Sequence, residues 1–177
     1  MMHRLMAINT QIWEPFFTTT GAAVATLAGL LFVSLSLNRD KLTAPENKPM
    51  LRLAQRCFAD FLYVLFICMI FLIPDQGKHA LAIELLLISV GRIQRLIRHA
   101  RDATHDVSRR LLSWQTLQEY SFHAFCLIGM VINSVLIYYG NELAPYLDAF
   151  IIITLIASAC WNAWLLLVME KDFAKRA

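Results

Sequence analysis

From Pro15 to Leu37 the chain carries no charged side chain. A helix that crosses the roughly 30 Å hydrocarbon core of a bilayer needs about 20 predominantly apolar residues, and this run meets that length. It also exceeds the roughly 7–15-residue apolar core of a signal peptide, so it is expected to be a retained first span over 15–37. Four further stretches come close, at 57–74, 79–98, 120–139 and 145–169. Backbone polar groups inside lipid must be satisfied within their own segment, which makes each stretch a helix. The expected fold is therefore all-α: a polytopic membrane helix bundle of about five transmembrane helices, forming a single transmembrane domain over 1–177. Composition agrees. The chain is 58% hydrophobic and only 16% charged, against about 45–50% and 25% in soluble domains.

The charges that remain are placed unevenly. Of the 16 Lys and Arg, all but Arg4 and Lys78 fall in the basic segments 38–56 and 98–119, at the arginine-rich end of the third stretch, or in the tail. Five crossings put all of these on one face, and the positive-inside rule makes that face cytoplasmic. The amino terminus is then outside and the carboxyl terminus inside. Trp13, Phe16, Phe17, Tyr138, Tyr139 and Tyr146 fall at the outer span ends, where aromatic residues anchor to the interface.

Several function classes drop out. The net charge of +3 is too small to indicate a nucleic-acid partner. Cys57, Cys68, Cys126 and Cys160 sit in or beside apolar runs without a CxxC pair, so neither a disulfide framework nor a zinc site is expected. No Ser/His/Asp arrangement, phosphate loop or dinucleotide fingerprint occurs. No catalytic residue, metal ligand or cofactor is expected. The loops between spans are too short for an extracellular domain, which leaves 38–56 and 98–119 as the sizeable soluble surface.

Polar residues inside the apolar stretches are the candidates for function, because an ionisable group in a span is costly. Glu84 lies in Leu81-Ala82-Ile83-Glu84-Leu85-Leu86-Leu87 with no polar neighbour in sequence. It is expected to have a structural partner, to tilt outward to water, or to lie on an ion or proton pathway. Asp60 follows Arg56 by one helical turn, a spacing that allows an ion pair. Arg92, Arg95, Arg98 and Arg101 repeat every third residue. Arg92 and Arg95 would lie just inside the inner boundary and take part in an ion pathway or its gating. Arg98, Arg101, Arg109 and Arg110 would meet anionic lipid or a partner. The stretch Arg92–Arg98 also resembles the arginine helix of voltage sensors, although only two spans precede it here instead of three.

Other polar residues have structural expectations. Asn133 and Asn162 are expected to form inter-helix hydrogen bonds. Asp148 is expected in the first turn after Pro145, favoured by the helix dipole. Gly140-Asn141 is expected to close the fourth helix. Gly21, Ala25 and Gly29, four residues apart, are expected to let another helix approach closely, in the same chain or in another copy.

The run Thr20-Gly21-Ala22-Ala23-Val24-Ala25-Thr26-Leu27-Ala28-Gly29-Leu30-Leu31-Phe32-Val33-Ser34-Leu35-Ser36-Leu37-Asn38 resembles the first span of uncharacterised bacterial small multi-spanning inner-membrane proteins. Leu72-Ile73-Pro74-Asp75-Gln76, leading to Ile83-Glu84-Leu85, is similar to their second hairpin. The resemblance implies a bacterial inner membrane and carries no activity.

The leading expectation is a non-enzymatic, homo-oligomeric ion channel or pore, with Glu84, Asp60, Arg92 and Arg95 along or gating its path. The alternative is an accessory or regulatory membrane subunit whose basic loops bind anionic lipid or another membrane or cytoplasmic protein. The third is a membrane-embedded enzyme acting on lipid, which would need His123 to converge with Glu84 or Asp60.

Overall fold

The structure, a computed structural model, describes residues 10–39, 47–106 and 114–174; side-chain surroundings are described over 12–39, 47, 50–94 and 121–166. Among the described residues the fold is all-helical, with no strand. The helices are α1 (Thr10–Leu37), α2 (Lys48–Phe71), α3 (Lys78–Asp106), α4 (Trp114–Tyr139) and α5 (Ala144–Ala174).

Their centres fall where the apolar runs predict, and their ends differ for local reasons. α1 starts at Thr10, ahead of the expected span, and so carries Pro15 inside it. The proline lacks only the N–H that would reach the Gln11 carbonyl, one bond close to an end where donors are already unpaired. α2 opens with Pro49 in its first two positions, where a proline is pre-organised for helix. It stops at Phe71, short of 74, because Ile73 precedes Pro74 and that disfavours the helical region. The Leu72 N–H closes the helix onto the Cys68 and Met69 carbonyls at 3.2 Å each. α3 and α5 run past the ends of their apolar stretches, since losing apolar character ends a span but not a helix, and Arg, Lys and Ala are good helix formers.

The α4–α5 connection has the cap expected of it. Gly140 takes φ +75. Its N–H reaches the Ile137 carbonyl and that of Asn141 reaches Leu136, both at 2.9 Å. This is the Schellman arrangement, which glycine adopts without the Cβ penalty. Asn141 then turns the chain into α5, its Oδ1 accepting from the Leu143 N–H at 2.9 Å.

Packing divides the chain into two compact units, with the boundary inside α5. One holds Pro74–Ile151, that is α3, α4 and the first turns of α5; the other holds Gln11–Ile73 and the chain from Ile152 onward. Within the second unit, α1 and α2 pair antiparallel. Phe17 stacks on Phe71 with ring centroids 4.1 Å apart, Gly21 abuts Cys68, and Phe32 meets Phe58 at 6.3 Å. The buried residues of α1 are Phe17, Gly21, Val24, Ala28 and Leu31. Those of α2 include Met50, Ala54, Cys57, Phe61, Val64, Cys68 and Phe71. Both sets alternate steps of four and three, the spacing that keeps a stripe facing one neighbour. A set stepping only by four rotates away from it. Accordingly Gly21 is buried in the seam while Ala25 and Gly29 are exposed, with nothing within 4 Å of a Cβ built on Gly29.

Four helices are long and apolar enough to cross a membrane, over Ile12–Leu37, Met50–Phe71, Ser121–Tyr139 and Ala144–Leu166. Side chains of α3 are described only as far as Gln94, short of a crossing length. Large apolar side chains point outward on all four, among them Leu30, Phe32, Phe66, Ile128, Phe150 and Trp161. A water-soluble surface seldom carries apolar patches of such extent, whereas lipid requires them. The chain is an integral membrane protein.

Candidate functional site

The first unit gathers polar groups at one end, where α3 begins, α4 finishes and α5 begins. His79 lies edge-on to Tyr138, with ring centroids 4.7 Å apart. The Lys78 amine lies over Gly140, where an added Cβ would meet Nζ at 3.2 Å. These contacts set the register of antiparallel α3 and α4. Equal steps back from His79 and Tyr138 bring Glu84 level with Asn133.

Glu84 is half-buried, and its Oε2 accepts a 2.6 Å hydrogen bond from Gln76 Nε2 in the preceding loop. A structural partner, one of the roles expected for it, is present. The loop that ends α2 in sequence thus folds over the second turn of α3 and satisfies its carboxylate.

Asp148 is different. It is completely buried, and neither carboxyl oxygen has a hydrogen-bond partner among the described residues. The expected dipole role does not hold, because α5 begins at Ala144 and places Asp148 in the second turn. Backbone N–H groups there already bond within the helix, as the free donors of a helix lie at its start. Turning the chain at this end falls to Asn141. The side chain that acts on the Asp148 carboxyl is Asn133, one helix away in the same unit. Asn133 is itself completely buried, with neither Oδ1 nor Nδ2 in hydrogen-bonding geometry. Asn133 thus approaches the Asp148 carboxyl from the neighbouring helix, as its expected inter-helix role requires, but none of the four polar atoms reaches close hydrogen-bonding geometry.

The turn explains why these two meet. Asn133 precedes Gly140 by as many residues as Asp148 follows Asn141, so a tight hairpin sets them opposite each other. Contact between Gly129 and Ile151 about one turn deeper, where an added Cβ would meet Ile151 Cδ1 at 3.2 Å, fits the same register. Sequence reasoning located the turn but did not reflect the helices about it. That reflection was the available signal.

Most other buried side chains within a turn of either residue in sequence are apolar, Met130, Ile137, Ala144 and Ile151 among them. Two buried hydroxyls lie on the same helices or next to them, and each donates to its own helix. Ser134 Oγ reaches the Met130 carbonyl at 2.9 Å, and Ser89 Oγ reaches Leu85 at 2.8 Å. His123 sits ten residues before Asn133 on α4, about 15 Å along the axis. It does not converge with Glu84.

The remaining candidates are placed as follows. Asp60 is buried on α2 in the second unit and acts electrostatically on the Cys57 thiol. That thiol donates to the Ala159 carbonyl on α5 at 3.2 Å. Asn162, also buried, follows Ala159 along α5 by about one turn. Arg92 is half-buried on α3 and engaged with a partner. The side chains of Arg95, Arg98 and Arg101 and the whole of Arg109 and Arg110 lie outside what the structure describes. Among the described residues no group of three or more His, Cys, Asp or Glu side chains is placed to hold a metal ion.

No protein-family model, curated protein or solved structure matches this chain.

Proposed function

We propose that the protein conducts cations across a membrane, as a non-enzymatic channel or pore built from several copies of the chain. The carrying observation is Asp148, a fully buried carboxyl without a hydrogen bond, in a helix long and apolar enough to span a bilayer. Placing an ionisable group in such a helix costs about 2.5–3.5 kcal/mol on insertion scales, and such groups mark ion and proton paths. Glu84 stands level with Asn133 but half-exposed, a second carboxyl at that depth. Asp60 supplies another acid within a span. The positive-inside pattern supports five crossings, with the amino terminus outside and Arg92 and Arg95 near the inner face. The resemblance in the first span favours a bacterial inner membrane.

Assembly from copies is supported by α1. Only 17% of its apolar window is buried within the chain, against 44% for α2. Its exposed residues include Thr18, Ala22, Ala25 and Gly29, a small-residue surface of the kind that lets membrane helices approach closely.

The test is flux. Purified protein in liposomes is expected to carry a cation current or proton uptake under an imposed gradient, and Asp148→Asn is expected to reduce it at least tenfold. Liposomes that remain tight under every cation gradient and potential would refute conduction.

A further inference from the structure

Hydrogen-bond chemistry identifies the ligand that the buried pair on α4 and α5 is built to take. We propose that Asp148 and Asn133 form a proton-binding site, in which a neutral carboxylic acid pairs with the carboxamide. The inference rests on the conduction reading only in naming the proton as the conducted cation; the site itself stands on its own geometry.

A carboxylate offers acceptors only, whereas a carboxamide offers one acceptor oxygen and two N–H donors. An ionised Asp148 could therefore take N–H bonds from Asn133 but would leave the amide oxygen buried without a donor. Adding one proton to a carboxyl oxygen creates the missing donor. The new O–H then donates to Asn133 Oδ1, and Asn133 Nδ2 donates to the other carboxyl oxygen. All four atoms now unpaired would be served, without any other residue. Release reverses this: the O–H bond breaks, the proton leaves to water, and the electron pair stays on the carboxylate.

A metal cation fits less well. Hard metal ions take about six or more oxygen ligands, while this pair supplies two carboxyl oxygens and one amide oxygen. A metal at those oxygens would also leave the buried Asn133 N–H donors unpaired.

The side chain acting on Asp148 is that of Asn133. From α3, Lys78 lies over Gly140, His79 against Tyr138, and Glu84 is held by Gln76. From α4, Tyr138 and Tyr139 are exposed, and from α5 Tyr146 is exposed.

Infrared spectroscopy on the full chain in lipid vesicles tests the site apart from transport. At neutral pH in sodium-free buffer a protonated-carboxyl carbonyl band is expected in the native protein. It should persist in Glu84→Gln and Asp60→Asn and disappear in Asp148→Asn. In Asn133→Leu it should shift to higher frequency, because its hydrogen-bond partner has gone. Circular dichroism confirms that the variants retain native helix content, and Asp148→Glu should restore a band if Asp148→Asn misfolds. Absence of the band from the native protein overturns the proposal. So does a band that is lost when sodium is added at constant pH, since the site would then take a metal cation. A band that behaves as expected in vesicles that pass no current keeps the site and removes the conduction reading. A current without the band does the reverse.

Discussion

The α1–α2 seam and the α4–α5 hairpin both bury a stripe spaced in steps of four and three, yet they fill it with opposite chemistry. In the seam, Phe17 lies flat on Phe71, and Gly21 lets Cys68 come close. The contact is apolar, and its shape accounts for it. In the hairpin, the same kind of stripe carries Asn133 opposite Asp148, unbonded and fully enclosed. Lipid tails are as apolar as leucine, so a membrane helix pair gains little from hydrophobicity and must rely on close packing or polar bonds. The seam uses the first. The hairpin faces the residues for the second toward each other without bringing their polar atoms into close hydrogen-bonding geometry, and an arrangement that does not serve packing is where function is to be sought.

The largest expected effect probes the seam. Gly21→Leu forces a branched side chain into a gap where even a Cβ would sit 3.3 Å from Cys68 Cβ. Overpacking of this kind costs about 1–3 kcal/mol. Gly29→Leu, on the open side of the same helix, is expected to stay within about 0.5 kcal/mol of the native protein. Reversible unfolding in mixed micelles measures both. Equal losses would mean that α1 does not pack through the stripe described here.

The next effect probes the hairpin. Asn133→Leu takes away the group that faces Asp148 and leaves the acid among apolar side chains. Leaving a buried polar group without a partner costs about 1–3 kcal/mol, whereas replacing both partners by apolar groups of similar shape is close to neutral. The double variant Asn133→Leu/Asp148→Leu is therefore expected to recover most of the stability lost in the single one. Additive losses would make the two residues independent and end the comparison with the seam.

Much of this was legible in the chain before folding. Helix number and approximate centres follow from run length, because a bilayer sets a minimum that few soluble segments reach. The ends were less legible. Thr10 to Glu14 and the residues beyond Arg98 are not continuously apolar yet still helical, so apolar run length under-reports the helix. At the site, Glu84 drew attention because it stands alone in an apolar run, while its partner Gln76 lies in a loop whose path the sequence does not show. Asp148 was disguised by its nearness to Pro145, which reads as a helix start. Its burial depends on a neighbour across the hairpin, and only the register of that hairpin reveals it.

A smaller effect tests that register. Gly140→Ala puts a Cβ on a residue at φ +75 and against the Lys78 amine. The left-handed conformation costs a non-glycine residue about 1–2 kcal/mol, and the flexible lysine end can move aside. A loss near 1 kcal/mol is expected in the same unfolding measurement. Shifting the turn would also move Asn133 away from Asp148, so Gly140→Ala should disturb the carboxyl band while the seam variant Gly21→Leu leaves it unchanged. A band altered equally by both would show that it reports general loosening instead of the local pairing.

The smallest effect belongs to Glu84→Gln, and it separates the two acids of the first unit most sharply. Glu84 is half-buried and already hydrogen-bonded to Gln76. A glutamine there keeps an oxygen that accepts from Gln76 Nε2, so stability should change by less than about 0.5 kcal/mol. Asp148→Asn is equally conservative in shape, but it removes the carboxyl, the group of the pair able to take and release a proton. If Glu84 lies beside the path without carrying the ion, Glu84→Gln lowers flux less than twofold while Asp148→Asn lowers it at least tenfold. Should Glu84→Gln abolish flux and Asp148→Asn leave it intact, the path would run past the half-exposed carboxylate. The buried pair would then be a structural feature of the hairpin, and the contrast drawn with the seam would carry no functional meaning.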